Sequence, residues 1–214
     1  MQNSDQPSET VAARGRGRPR AFDRDAALTR AMRLFWAKGY DATSVADLTA
    51  AMGIGAPSLY AAFGSKEGLY TEALQHYGGN YDTLVWGRFA AAPTARAAIH
   101  AFLYDSAVAL DGTRPDDPPG CMVTLSAVDA AVHPGLCGQL RAARAVSLQR
   151  LSERIEQGIA DGEIPATVDT RALARFIQTV QYGMSLLARD GAGRAELEGV
   201  AAVAMLGWDA RVKA

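Results

Sequence analysis

The chain has 214 residues, enough to bury a real core as one large domain or two small ones. Hydrophobic residues make up 49% and charged residues 21%, and no run approaches the roughly 20 apolar residues that a membrane span needs. The net charge of −1 is unevenly distributed: residues 14–66 hold nine basic side chains against four acids, whereas residues 67–214 hold thirteen against seventeen.

That asymmetry suits a polyanion-binding head on a partner-binding body. The polar start, Met-Gln-Asn-Ser-Asp-Gln-Pro, lacks the basic-then-apolar order of a signal peptide and predicts a cytoplasmic protein. Two cysteines, Cys121 and Cys137, are too few for a disulfide framework, and three scattered histidines offer no metal cluster.

In chain order, residues 1–13 are polar and aperiodic, which predicts disorder, and Arg14-Gly-Arg-Gly-Arg-Pro-Arg20 is too charged to fold alone. From Asp23, a plausible N-cap, Leu28, Met32, Leu34, Phe35 and Trp36 recur at helical spacing until Gly39. A second helix is expected from Thr43 or Ser44 to Met52, with Val45, Leu48 and Ala51 facing inward and Gly53 as its break. A third runs from about Gly55 to Phe63, with Pro57 in its first turn, where a missing N–H costs nothing. Helices follow over about 67–88, 94–110, 121–131, 135–160, 169–189 and 194–208. They are divided by Ala92-Pro93, the loop 111–120, His133-Pro134, the turn 161–165 and the turn 190–193. Period-two strand patterns are absent, so the fold class is all-α.

Three features coincide in residues 14–66. Two short helices around a glycine turn form a helix-turn-helix pattern, whose second helix would enter a major groove. Arg16, Arg18 and Arg20 lie on a slim arm able to follow a narrow minor groove, although a solvated basic tail reads the same in isolation. The third feature is a run of residues: Phe35-Trp-Ala-Lys-Gly-Tyr-Asp-Ala-Thr-Ser-Val, Ala51-Met-Gly-Ile54 and Ser58-Leu-Tyr-Ala-Ala-Phe-Gly-Ser-Lys-Glu67. At unbroken spacing this run resembles the DNA-binding domain of the tetracycline-repressor (TetR) family, over roughly residues 20–80.

The resemblance implies an N-terminal three-helix helix-turn-helix domain followed by a helical effector-binding and dimerisation domain. The expected division is an arginine-rich arm over 1–19, a DNA-binding domain over 20–80 and an effector domain over 81–214. Thr43, Tyr60 and Lys66 would contact phosphates, and Gly55, Ala56, Pro57, Ser58 and Ala61 would face base edges, with Ala62 beside them. Relatives commonly carry larger polar residues on that helix. Small side chains offer few bidentate base contacts, so groove shape and the arm are expected to supply much of the specificity.

The same resemblance places dimerisation on the last two helices. Leu173, Phe176, Ile177, Val180, Met184, Val203 and Leu206 are the candidates, and internal core is the competing reading for each. Trp86, Phe89, Phe102, Leu103, Met122 and Leu125 are candidates to line an effector pocket, again against a core role. His100 and Tyr104, four apart on one helical face, are candidate polar contacts. Cys121 follows Pro-Pro-Gly at a predicted helix start and reads either as a reactive thiol or as a small core residue, with Cys137 as a resolving partner in the first case. No nucleophile elbow, phosphate loop or zinc-protease motif occurs, so no enzyme, no metal and no cofactor is expected. The implied function is a homodimeric repressor on a palindromic DNA operator, released by a small-molecule effector whose class, an electrophile or oxidant included, stays open. An activator, and an architectural DNA protein without an effector, are the alternatives.

Overall fold

A computed structural model describes residues 22–213, and every regular element among them is α-helical. The arm residues Arg16, Arg18 and Arg20, and the disorder expected over 1–13, lie outside the described residues. The helices are α1 (Arg24–Lys38), α2 (Val45–Met52), α3 (Ala56–Phe63), α4 (Lys66–Ala91), α5 (Ala95–Leu110), α6 (Met122–Leu125), α7 (Pro134–Ala160), α8 (Thr170–Arg189) and α9 (Arg194–Val212).

Local chemistry fixes where they start. The Asp23 carboxylate accepts from Ala26 N at 3.0 Å and opens α1. Ser44 opens α2 through a reciprocal capping box: its hydroxyl accepts from Asp47 N, and the Asp47 carboxylate accepts from Ser44 N, both at 3.0 Å. Lys38 lies 3.3 Å from the same carboxylate. These bonds hold the Asp47 carboxyl below its usual range, the Ser44 backbone N–H being the main cause. Ser65, Thr94 and Asp169 cap α4, α5 and α8 one-sidedly, each side chain accepting from the backbone N–H three residues on.

The helix expected over 121–131 is the main correction to the element boundaries. Only α6, one turn long, forms there. Asp129 ends any continuation, because its carboxylate takes Ala131 N at 2.8 Å while its carbonyl takes His133 N at 2.8 Å, closing a turn ahead of Pro134.

Two apolar clusters fill the molecule. The head cluster joins α1, α2 and α3 to the first half of α4, with Phe35, Leu48, Leu59, Leu69 and Tyr70 fully enclosed. The body cluster joins the end of α4 to α5, α7, α8 and α9 around Ile99, Leu103, Leu151, Ile177 and Trp208. The boundary expected at residue 80 falls inside α4, which is continuous, and Met122 and Leu136 reach from the body into the head cluster.

Polar bonds reinforce this junction. From the end of α8, Arg189 donates to the Trp36, Ala37 and Pro119 carbonyls at 2.9, 3.2 and 3.2 Å. The first two are carbonyls that the last turn of α1 leaves without helical partners, and the third belongs to the 111–120 loop. His133, at the break ahead of Pro134, bonds Glu67 at 3.0 Å and packs edge-on against Tyr40.

Gly120 lies where α6 meets α8, with φ +82. A Cβ there would come within 2.7 Å of the Ser185 carbonyl oxygen and closer still to Leu125. Gly120→Ala is expected to cost about 3 kcal/mol or more in chemical denaturation, combining left-handed strain with a backbone clash. Gly162→Ala, with φ +76 but open space around it, should cost only about 1–2 kcal/mol.

Candidate nucleic-acid interface and internal cavity

Two side chains seat α3 in the head: Leu59, fully buried, and Phe63. Their spacing of four turns the rest of the helix outward. Gly55, Pro57, Ser58, Tyr60 and Ala61 are exposed, while Ala56 and Ala62 are half-buried. No acidic side chain projects from this helix, and its N-cap, Gly55, leaves the first-turn N–H groups without a side-chain acceptor. Lys66 begins α4 nearby. Its ammonium stands 4.2 Å above the Tyr40 ring, and no carboxylate pairs with it among the described residues. Burial depresses its pKa. Arg24 is committed elsewhere, to Glu72 at 2.6 Å and to the face of Phe63 at 4.5 Å.

Thr43 requires a correction. Its side chain is fully buried, and its hydroxyl donates to the Gly39 carbonyl at 2.6 Å, bracing the α1–α2 turn. Ser44, not Thr43, is the exposed hydroxyl at the start of α2.

In the body, a cavity of about 250 Å³ opens between α4, α5, α6, α7 and α8. Of the sequence candidates, Trp86, Phe102 and Cys121 line it. Phe89 belongs to the body core and, with Trp86, walls an adjoining open groove between α4 and α7. Leu103 and Met122 are core residues, fully enclosed, and Leu125 lies outside the lining. His100 and Tyr104 stack on each other at 4.1 Å, with His100 on the outer surface, and neither reaches the cavity. Residues that the sequence reading missed complete the wall: Tyr77, Tyr81, Thr124, Arg144, Gln181 and Tyr182. Gln181 and Tyr182 sit on a helix assigned to dimerisation, and the phenols of α4 follow a helix-length seam whose partner could not be read from spacing.

The candidate dimer face also divides. Leu173, Ile177 and Met184 are buried in the body core, correcting their assignment to an interface, and Val180 is half-buried. Phe176, Val203 and Leu206 are exposed, together with Leu186 and Leu187; Val203 and Leu206 each show 69% of their surface.

Tyr81 links the cavity to the head. Its hydroxyl donates to the Asp117 carboxylate in the 111–120 loop. Asp117, nearly enclosed, also receives Arg33 Nε of α1 at 3.0 Å and Arg114 Nε at 3.3 Å. Burial first, and then the Asp117 carboxylate, push the Tyr81 phenol far above its ordinary value. Burial likewise raises Tyr77, whose ring stacks on Tyr81 at 4.6 Å.

Comparisons with known proteins agree with this architecture. The family described as "Bacterial regulatory proteins, tetR family" matches residues 27–73, and "Tetracyclin repressor-like, C-terminal domain" matches residues 97–200. The chain is 38% identical to the HTH-type transcriptional repressor ComR of Escherichia coli (strain K12), across 96% of this chain and 98% of that one. It is 54% identical over 63 residues to the repressor BdcR of the same organism, covering 29% of this chain and 32% of that protein. Among solved structures, a cysteine mutant of the TetR family transcriptional regulator CifR, complexed with 26-bp double-stranded operator DNA, superposes with a TM-score of 0.83 at 43% identity. That match covers 89% of this chain and all of that one.

The phenol–carboxylate pair makes a pH-dependent prediction. Because the folded Tyr81 pKa is raised, the pair's contribution to stability is full below the free phenol's value of 10.0 and declines as pH rises above it. In the ultraviolet phenolate titration, the difference between wild type and Tyr81→Phe should show a tyrosine ionising above the ordinary range. Asp117→Asn should bring that ionisation down. An unshifted phenol would show that Asp117 does not hold it.

Proposed function

The chain belongs to the tetR family of bacterial regulatory proteins, and on that premise we propose that it is a homodimeric repressor, released from a palindromic operator by a small molecule lodged in the α4–α8 cavity. The observation that carries this reading is the exposed face of α3, set outward by Leu59 and Phe63 in a helix-turn-helix whose body encloses a separate cavity. An architectural DNA protein has no use for such a cavity, and the whole chain aligns with a repressor rather than with an enzyme.

In this reading Gly55, Ala56, Pro57, Ser58 and Ala61 approach base edges and thymine methyl groups. Tyr60 and Lys66 take phosphates, the latter beside the free N–H groups of the α4 start. The phosphate contact expected of Thr43 passes to the exposed Ser44. Arg16, Arg18 and Arg20 enter the minor groove. Phe176, Leu186, Val203 and Leu206 form the symmetric contact between copies, which places the two α3 helices on half-sites related by a dyad. An occupant of the cavity would press on Tyr77 and Tyr81, and through Asp117 and Arg33 on α1.

A second reading of the effector rests on Cys121. Its half-buried thiol lines the cavity beside Tyr77, so a soft electrophile entering there would meet a nucleophile. Cys137 is not among the lining residues, and its thiol donates to the Val128 carbonyl at 3.0 Å, which argues against its service as a resolving partner. Iodoacetamide should release the wild-type protein from its operator and leave Cys121→Ser bound. Equal release of both would remove this reading.

In-vitro selection from random double-stranded DNA tests the main proposal, with a dyad-symmetric site as the expected result. Enrichment of A·T-rich DNA without symmetry would overturn the paired-head arrangement. On the selected site, Lys66→Gln should weaken binding evenly across sequences and lower the salt slope by about one per head. The double variant Val203→Glu, Leu206→Glu should sediment as a monomer and lose most of its dyad affinity while keeping its helical content. Persistence of a dimer would move the interface elsewhere.

A further inference from the structure

The charges around the cavity do not balance. Three ionised side chains line it: Asp82, Arg144 and Arg150. Arg150 bonds Asp82 at 2.6 Å and lies 5.0 Å from the Trp86 ring, so this pair is neutral as a unit. Both of its members also border the open groove between α4 and α7, placing the pair where groove and cavity meet.

Arg144 has no such partner. One nitrogen donates to the Val123 carbonyl at 3.0 Å, and no carboxylate pairs with it among the described residues. The guanidinium keeps further N–H donors for anything entering the cavity. Gln181 stands on the same lining. The residue is only 9% exposed overall, yet its amide atoms are not sealed off, and they make no hydrogen bond among the described residues. The contrast with Gln178, three residues earlier, is direct: that amide is fully engaged, accepting from Arg175 at 3.0 Å and donating to the Arg144 carbonyl at 2.9 Å. An amide without a protein partner and a cation without a counter-ion, facing one space, are complementary to a single missing group.

We infer that the reversible effector is a small organic carboxylate with a flat or unbranched apolar body, its carboxylate held by Arg144 and Gln181 and its body among the aromatic rings of α4 and α5. This deepens the effector-released reading and rests on it. One planar guanidinium and one amide match the two oxygens of a carboxylate. A doubly charged phosphate would bring more charge than the single unpaired cation neutralises. The apolar remainder of the wall favours a hydrocarbon body, and the cavity's size limits it to about two fused rings or a chain of comparable bulk.

The test measures quenching of tryptophan fluorescence by naphthalene-2-carboxylate, indole-3-acetate, 4-phenylbutyrate and octanoate, each beside its neutral primary amide. These compounds carry no electrophile, so Cys121 chemistry does not enter. At least one carboxylate should bind the wild-type dimer, and about tenfold or more tighter than its amide, as expected when a charge-assisted bond is exchanged for a neutral one. Arg144→Gln, which keeps a donor for the Val123 carbonyl, should abolish that preference without lowering the melting temperature appreciably. Gln181→Leu should weaken the same carboxylate several-fold while leaving its preference over the amide. Binding by no carboxylate of the panel, equal binding of acid and amide, or a preference that survives Arg144→Gln would each overturn the inference. Operator binding by the same proteins is measured in parallel on the selected DNA. A carboxylate that binds without releasing DNA leaves the cavity chemistry standing and sinks the effector-released repressor.

Discussion

The two hydrophobic cores of this chain share one continuous helix, and the rest of the arrangement follows from that constraint. α4 starts against the recognition region with Lys66 and ends in the body core with Phe89, a rod of about 39 Å by the ordinary rise per residue. Leu69, Tyr70 and Ala73 fix one end in the head, while Trp86 and Phe89 fix the other beside the cavity. Sharp kinks in a helix of this length need a specific cause such as proline or a glycine pair; α4 has no proline but carries Gly78-Gly79 near its middle. A displacement at Trp86 meets Gly78-Gly79 before it reaches the head, the place where α4 gives most readily.

Packing alone would leave the head free to slide on the body, since apolar contact is non-directional. Directional bonds at the junction remove that freedom. Arg189 caps the end of α1 from α8, Asp117 gathers Arg33, Arg114 and Tyr81, and His133 joins Glu67 on the far side. Each belongs to a different loop or helix end, so they need not all break together. Allosteric coupling is typically worth about 1–3 kcal/mol, comparable to one or two such charge-assisted bonds. In the proposed effector-released reading, exchanging the Tyr81–Asp117 bond for a contact to a ligand would supply a coupling of that size with no refolding of either core.

The head was legible in the sequence because its signals are local. Asp23, Gly53, Pro57 and Gly64 punctuate it at fixed offsets, and Leu48, Leu59 and Phe63 fall on the period that buries them. The misjudgement at Thr43 has a local cause too: two adjacent hydroxyl residues offer two caps, and only the three-residue reach from Ser44 to Asp47 closes a reciprocal one. In the body, burial is decided by partners far along the chain. Leu173, Ile177 and Met184 share a helix with Phe176 and Leu186, and the face that meets α5 differs from the face left open by only part of a turn. The cavity was less legible still, because Arg144 and Gln181 become neighbours only through the packing of α7 on α8. The helix lost after Leu125 illustrates the opposite failure. There an Asp129 turn overrode residues whose periodicity was acceptable.

The composition of α3 bears on how such a head could choose its DNA. With alanine, proline, glycine, a single serine and Tyr60 outward, the helix offers only two hydroxyls as side-chain donors. What it offers is closeness: a backbone carrying small side chains can seat deeper than one carrying arginine or lysine. Contact is then made by methyl groups and by the backbone N–H of Ala56, since Pro57 has none and the Ser58 N–H donates to the Gly55 carbonyl. Such contacts reward thymine methyls and groove width more than the identity of guanine edges. Discrimination under these terms is weak per half-site, and a dyad multiplies it by requiring both halves at a fixed spacing. The exposed aliphatic faces of α8 and α9 and the small-residue face of α3 are on this argument linked requirements, since a recognition helix that reads little alone depends on being held rigidly to its copy.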